Sequence, residues 1–77
     1  MYLQEWHHGC RVTVSDWIGK DNDGEKPIRI DIEYFKPGAS LSGPPAWEKN
    51  IICPRREEAK IYSFLDSIAY NACINNI

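Results

Sequence analysis

His7, His8 and Cys10 fall within four residues near the start of the chain, and Cys53 is the next cysteine along it. Imidazole and thiolate are the donors zinc prefers, and four such ligands would staple a domain this small. The spacing is poor for a zinc motif. There is no CxxC and no His-x3–5-His, and adjacent histidines in extended chain point to opposite sides. Cysteine–histidine nucleophilic chemistry needs a base within reach of the thiol and a site for the oxyanion. Cys10 has His7 and His8 near it in sequence, but nothing specifies the oxyanion site. Cys53 precedes Pro54, where a helix is expected to begin, and thiol pKa values fall at helix N-termini. The favoured reading is a polar N-terminal segment with Cys53 at a helix-capping position. A small zinc- or thiol-dependent factor built on His7, His8, Cys10 and Cys53 ranks as an alternative. No cofactor is expected.

Three other stretches suggest chemistry and lose it on inspection. In KDNDGE, residues 20–25, Asp21, Asp23 and Gly24 match positions three, five and six of a calcium loop. Position one then falls on Gly19 and position twelve on Ile30, which cannot ligate, and no helices flank the loop. A tight turn at Asp23-Gly24 explains it better. GASLSG, residues 38–43, lacks the glycine spacing and the lysine of a phosphate loop. GPPAW, residues 43–47, contains two prolines that hold a short extended segment. Its expected role is loop stiffening, with Trp47 packed inward or anchoring a partner.

These residues must be positioned by a chain of 77 residues, which suffices for one domain and is short for two. The hydrophobic share of 43% is a folding composition rather than a disordered one. Eleven acidic residues against nine basic ones give a net charge of −2. Duplex-binding proteins usually carry a basic excess. Here the only adjacent basic pair, Arg55-Arg56, runs straight into Glu57-Glu58. No apolar run approaches the roughly 20 residues that span a bilayer. The opening MYLQEWHHGC has neither the basic start nor the apolar stretch of a signal peptide. A cytoplasmic location with three free thiols is the expectation.

Periodicity supplies the elements. In CRVTVSDWI, residues 10–18, Cys10, Val12 and Val14 alternate with Arg11, Thr13 and Ser15, which predicts a strand with one buried face. In IRIDIEYF, residues 28–35, Ile28, Ile30, Ile32 and Tyr34 face the core. Arg29, Asp31 and Glu33 face water, with Phe35 at the end of that polar face. The two strands predict an antiparallel hairpin in which Arg11 or Lys20 meets Asp31 and Glu33. Residues 1–9 form either a short strand or an arm. Residues 36–49 are a proline- and glycine-rich loop. Residues 50–53 form a short third strand. A helix over 54–76 follows, with Pro54 in the first position. Its core arc contains Ile61, Phe64, Leu65, Ile68, Ala69 and Ala72. The fold class is therefore α+β: an antiparallel β-hairpin or three-stranded sheet packed against one C-terminal helix.

That helix carries more apolar surface than such a sheet can cover. From residue 61 onward Asp66 is its one charged side chain. Tyr70, Ile74 and Ile77 form a second stripe opposite the core arc. Three coverings are weighed: the loop, a second copy making a homodimer, or another protein. The opening MYLQEW is similar to the start of the lambdoid-phage excisionases, which resemble basic winged-helix DNA binders. The similarity spans six residues. The acidic charge and the strand expected after Trp6 depart from that pattern, so no site is carried over. The leading expectation is a non-enzymatic, protein-binding or inhibitor-like accessory module, in the manner of small proteins from phages and mobile elements. Its candidate contacts are Tyr70, Ile74, Ile77, Trp47, Arg29, Asp31 and Glu33. A nucleic-acid-associated protein using the hairpin face, Arg55 and Arg56 ranks second.

Overall fold

The computed structural model of the chain describes residues 2–22 and 24–75. Ile77 of the second helix stripe, Asn76 at the expected helix end and Asp23 of the expected turn lie outside the described residues. Four strands, β1 (Tyr2–His7), β2 (Cys10–Asp16), β3 (Ile28–Tyr34) and β4 (Trp47–Cys53), form one antiparallel sheet in the order β1-β2-β3-β4. A short 3-10 turn, Arg55–Glu57, leads into α1 (Glu58–Ser63) and α2 (Leu65–Ile74). The chain is thus α+β, with a sheet of four strands rather than two or three.

The register follows from the alternation. Val12 sits opposite Ile32 and Val14 opposite Ile30, so the apolar residues of β2 and β3 share one face. That face is completed by Leu3, Glu5 and His7 on β1 and by Trp47, Lys49, Ile51 and Cys53 on β4. Cys10, Val12, Val14, Ile28, Ile30 and Ile32 have no solvent exposure, and Ile61, Leu65, Ala69 and Ala72 close over them from the helices. Trp47 packs inward, as one of the two sequence readings had it, stacking on Tyr34 with ring centroids 5.8 Å apart.

Two elements differ from the sequence reading, and a third decides between the strand and the arm offered for residues 1–9. Residues 2–7 are strand. They are joined to β2 by a two-residue turn in which His8 (φ 52°) and Gly9 (φ 79°) are both left-handed. That is the turn whose twist matches paired strands, and Gly9 takes it without penalty. The third strand expected at 50–53 is a fourth strand that begins three residues earlier, at Trp47. The single helix is two. Phe64 leaves helical geometry (φ −116°, ψ 18°), so it turns outward and is 58% exposed instead of joining the core. No proline or glycine stands at this break, and nothing in the local sequence accounts for it.

Pro54 lies just before the helical turn in extended geometry, and the capping group comes from far away. The Asp21 carboxylate accepts the backbone N–H of Arg55 at 2.9 Å and that of Glu25 at 3.1 Å. The residue that resembled a calcium ligand therefore ties the β2–β3 loop to the helix start. Asp21→Ala is expected to lower the unfolding free energy by about 1–2 kcal/mol. Urea denaturation measures this; an unchanged midpoint would show the cap to be idle.

Candidate functional site

The proposed metal set is not assembled. Cys10 pairs with Tyr34 and Cys53 with Ile28, so the two cysteines stand at opposite ends of β3. At the rise of a strand that is roughly 20 Å. No group of three or more histidine, cysteine, aspartate or glutamate side chains suited to a metal occurs among the described residues. Cys53 also departs from expectation. Burial, and then the charge of Glu57, push its thiol pKa up rather than down. A shallow depression beside it is lined by Lys20, Asp21, Asn22, Pro27, Ile52 and Pro54, with neither histidine among these residues.

The two histidines converge on α2 instead. Nδ1 of His7 and Nε2 of His8 each lie 3.0 Å from a different oxygen of the Asp66 carboxylate, and Nε2 of His7 lies 3.0 Å from Glu5. Carboxylates only accept, so His7 fills both contacts fully only as the imidazolium. Its pKa is raised above the ordinary 6.5, chiefly by Asp66 and then by Glu5. The Asp66 carboxyl is held below its ordinary 3.8, by His7 first and His8 second. The cluster fastens the β1–β2 turn to the first turn of α2.

A raised histidine pKa contributes stability that is fully present below pH 6.5 and is lost as pH rises through the folded-state value. The lowered aspartate contributes stability above 3.8 that is lost as pH falls through its folded-state value. The pair therefore helps most between these limits. The urea midpoint is expected to fall as pH rises above about 6.5 through the raised His7 value, and Asp66→Asn to flatten that fall. An equal slope in the variant would remove the cluster from the explanation.

Arg55 is engaged inside the fold. Its Nε donates to the Lys26 carbonyl at 2.8 Å, Nη1 reaches Glu58 at 3.4 Å and Nη2 pairs with Asp16. Arg56 is exposed. A basic pair free for phosphate contacts is thus not what the helix start presents.

The residues of opposite alternation form the other face of the sheet, which neither helix covers. Cross-strand register orders them into three rows. Tyr2, Ser15, Arg29 and Ile52 make the first. Gln4, Thr13, Asp31 and Asn50 make the second. Trp6, Arg11, Glu33 and Glu48 make the third. Trp17 extends the first row: the Arg29 guanidinium lies 4.6 Å from its ring centroid and donates to Asp31 at 2.7 Å. Phe35 extends the third, with Arg11 at 4.7 Å over its ring and Trp6 at 6.5 Å. Arg11 also donates to Glu33 at 3.2 Å and to the Leu41 carbonyl at 3.2 Å, which draws the 35–46 loop to that rim. Tyr2 is 69%, Trp6 52% and Trp17 37% exposed. Gln4 bridges to Thr13 at 3.2 Å in the polar middle row.

Sequence reasoning found Arg29, Asp31 and Glu33 but not their aromatic neighbours. Phe35 was placed on the right face yet expected at the polar end. It is buried there, under Trp6 and Arg11. The signal for Tyr2 and Trp6 was the i, i+2 spacing in MYLQEW, which becomes meaningful only once β1 is known to pair. On the far side of the molecule, Tyr70 and Ile74 are about half-exposed, and Tyr70 lies against the His8 ring at 5.2 Å. Among the described residues no helix is long and apolar enough to cross a membrane. Compared with protein families, curated proteins and solved structures, the chain matches no family model, no curated protein and no solved structure at a significant level.

Proposed function

We propose that the chain is a non-enzymatic binding module that docks another protein on the uncovered face of its sheet, as an accessory protein or inhibitor would. The observation that carries this reading is the set of exposed aromatics, Tyr2, Trp6 and Trp17, interleaved with arginines already held in place by Glu33, Asp31 and ring contacts. Tryptophan, tyrosine and arginine are the side chains that dominate protein–protein hot spots, and pre-ordered side chains lose less entropy on binding. Two arginines against Asp31, Glu33 and Glu48 leave the face without a cationic excess, which disfavours phosphate-led nucleic-acid binding.

The test begins with the partner recovered by crosslinking from the source cells and purified. Trp6→Glu is expected to abolish its binding, while Tyr70→Arg and Ile74→Asp leave it intact. The reverse pattern would move the site to the helix stripe. A native mass of two chains that Tyr70→Arg reduces to one would make the helix a homodimer contact instead.

A further inference from the structure

We propose that Cys10 and Cys73 form a reversible disulfide that locks the last turns of α2 onto the sheet when the chain meets an oxidising thiol–disulfide pool. This goes beyond the docking face and does not depend on it.

The two residues are 63 positions apart, yet their Sγ atoms lie 3.0 Å from each other. Each is positioned by the fold. Cys10 is the first residue of β2, with no solvent exposure, and sits beside the left-handed His8-Gly9 turn. Cys73 lies in the last turn of α2, on the edge of the core, and is partly exposed. Ala69 and Ala72, both buried, let the helix come close to the sheet here. No other cysteine competes, because Cys53 is at the far end of β3.

The unequal exposure sets the order of events. With oxidised glutathione as the oxidant, the Cys73 thiolate attacks one sulfur of the small disulfide. A Cys73–glutathione mixed disulfide forms and one glutathione thiolate leaves. Cys10, deprotonated, then attacks the Cys73 sulfur and expels the second glutathione thiolate. The protein loses two hydrogens and two electrons, and one oxidised glutathione becomes two reduced ones. The two protons pass through solvent to the leaving thiolates. Burial, and then the hydrogen bond with Cys73, push the Cys10 thiol up to about 12, so Cys10 is a poor first nucleophile. Its closeness to Cys73 suits it to the second, intramolecular step.

The experiment equilibrates the folded chain with glutathione buffers of increasing oxidised fraction, then unfolds it in denaturant containing excess maleimide, so that every remaining thiol, buried Cys10 included, is blocked. The reduced chain takes three labels, one per cysteine. The oxidised chain is expected to take one, on Cys53, with peptide mapping showing Cys10 linked to Cys73 and no gain in molecular size. The cross-link closes a loop of more than 60 residues, so Tm is expected to rise by about 10 °C or more, reversed by dithiothreitol. Cys53→Ser should retain the cross-link and the shift. Cys73→Ser, at a partly exposed site on the edge of the core, should lose both. Three labels at full oxidation, glutathione adducts without a cross-link, or a link through Cys53 would each overturn the proposal.

Discussion

Ile30→Ala is expected to lower the unfolding free energy by about 2–5 kcal/mol and Tm by roughly 10–40 °C. Ile30 lies at the centre of β3, between Val14 on β2 and Ile51 on β4, and is fully shielded from water. Truncation removes most of its buried side chain and leaves a cavity that two hydrogen-bonded strands cannot close. A chain of this size has a total stability of only about 5–15 kcal/mol, so the loss is a large fraction of the whole. Ile52 is the control: it is on the same sheet but on the uncovered face, about half-exposed. Ile52→Ala should cost less than about 1 kcal/mol. Urea denaturation of the two variants measures the contrast. Similar losses at both positions would mean that the two faces of the sheet are equally covered.

The inner face was legible in the sequence because β2 and β3 each put apolar residues at every second position against polar ones. The helices cover that face, and Arg11 sits opposite Glu33 as their charge pattern suggested. The strands at the sheet edges were harder to read for a physical reason. An edge strand is paired on one side only, so it tolerates mixed faces. β1 sets Glu5 and His7 beside Leu3 on the inner side, and β4 sets Lys49 between Trp47 and Ile51. The adjacent Ile51 and Ile52 hid the alternation of β4, because one serves each face. The uncovered face was half visible for the same reason. Its charged residues stood out on β3, but its aromatics depend on the pairing of β1 and on Trp17 folding back over Arg29. The Asp21 cap, the His7–Asp66 contact and the Cys10–Cys73 contact join residues 34, 59 and 63 positions apart. Local pattern carries no information about such pairs. Phe64 is the one core residue that periodicity misplaced, since a continuous helical wheel does not allow for the break there.

Trp6→Ala is expected to weaken binding of the partner protein on the order of 100-fold, with little change in association rate. Trp6 presents half its surface to solvent and rests on Phe35, over whose ring Arg11 also lies, so the indole is held in place before any partner arrives. Trp6→Phe should recover part of the loss, since it keeps the contact with Phe35 and gives up only area and the indole N–H. Denaturation of each variant separates a lost contact from a weakened fold. The salt response then distinguishes the chemistry of the partner. The arginines of this face are already paired with Glu33 and Asp31, and the face carries no cationic excess. Binding to a protein should therefore change less than about 10-fold between 50 and 200 mM salt, whereas a ligand held by six or more phosphate contacts would lose about a thousandfold or more. A steep salt dependence that survives Trp6→Ala would place the partner among the nucleic acids and off this face. A shallow one, together with the loss of affinity on Trp6→Ala, makes the aromatic rows, rather than the charges between them, the source of affinity.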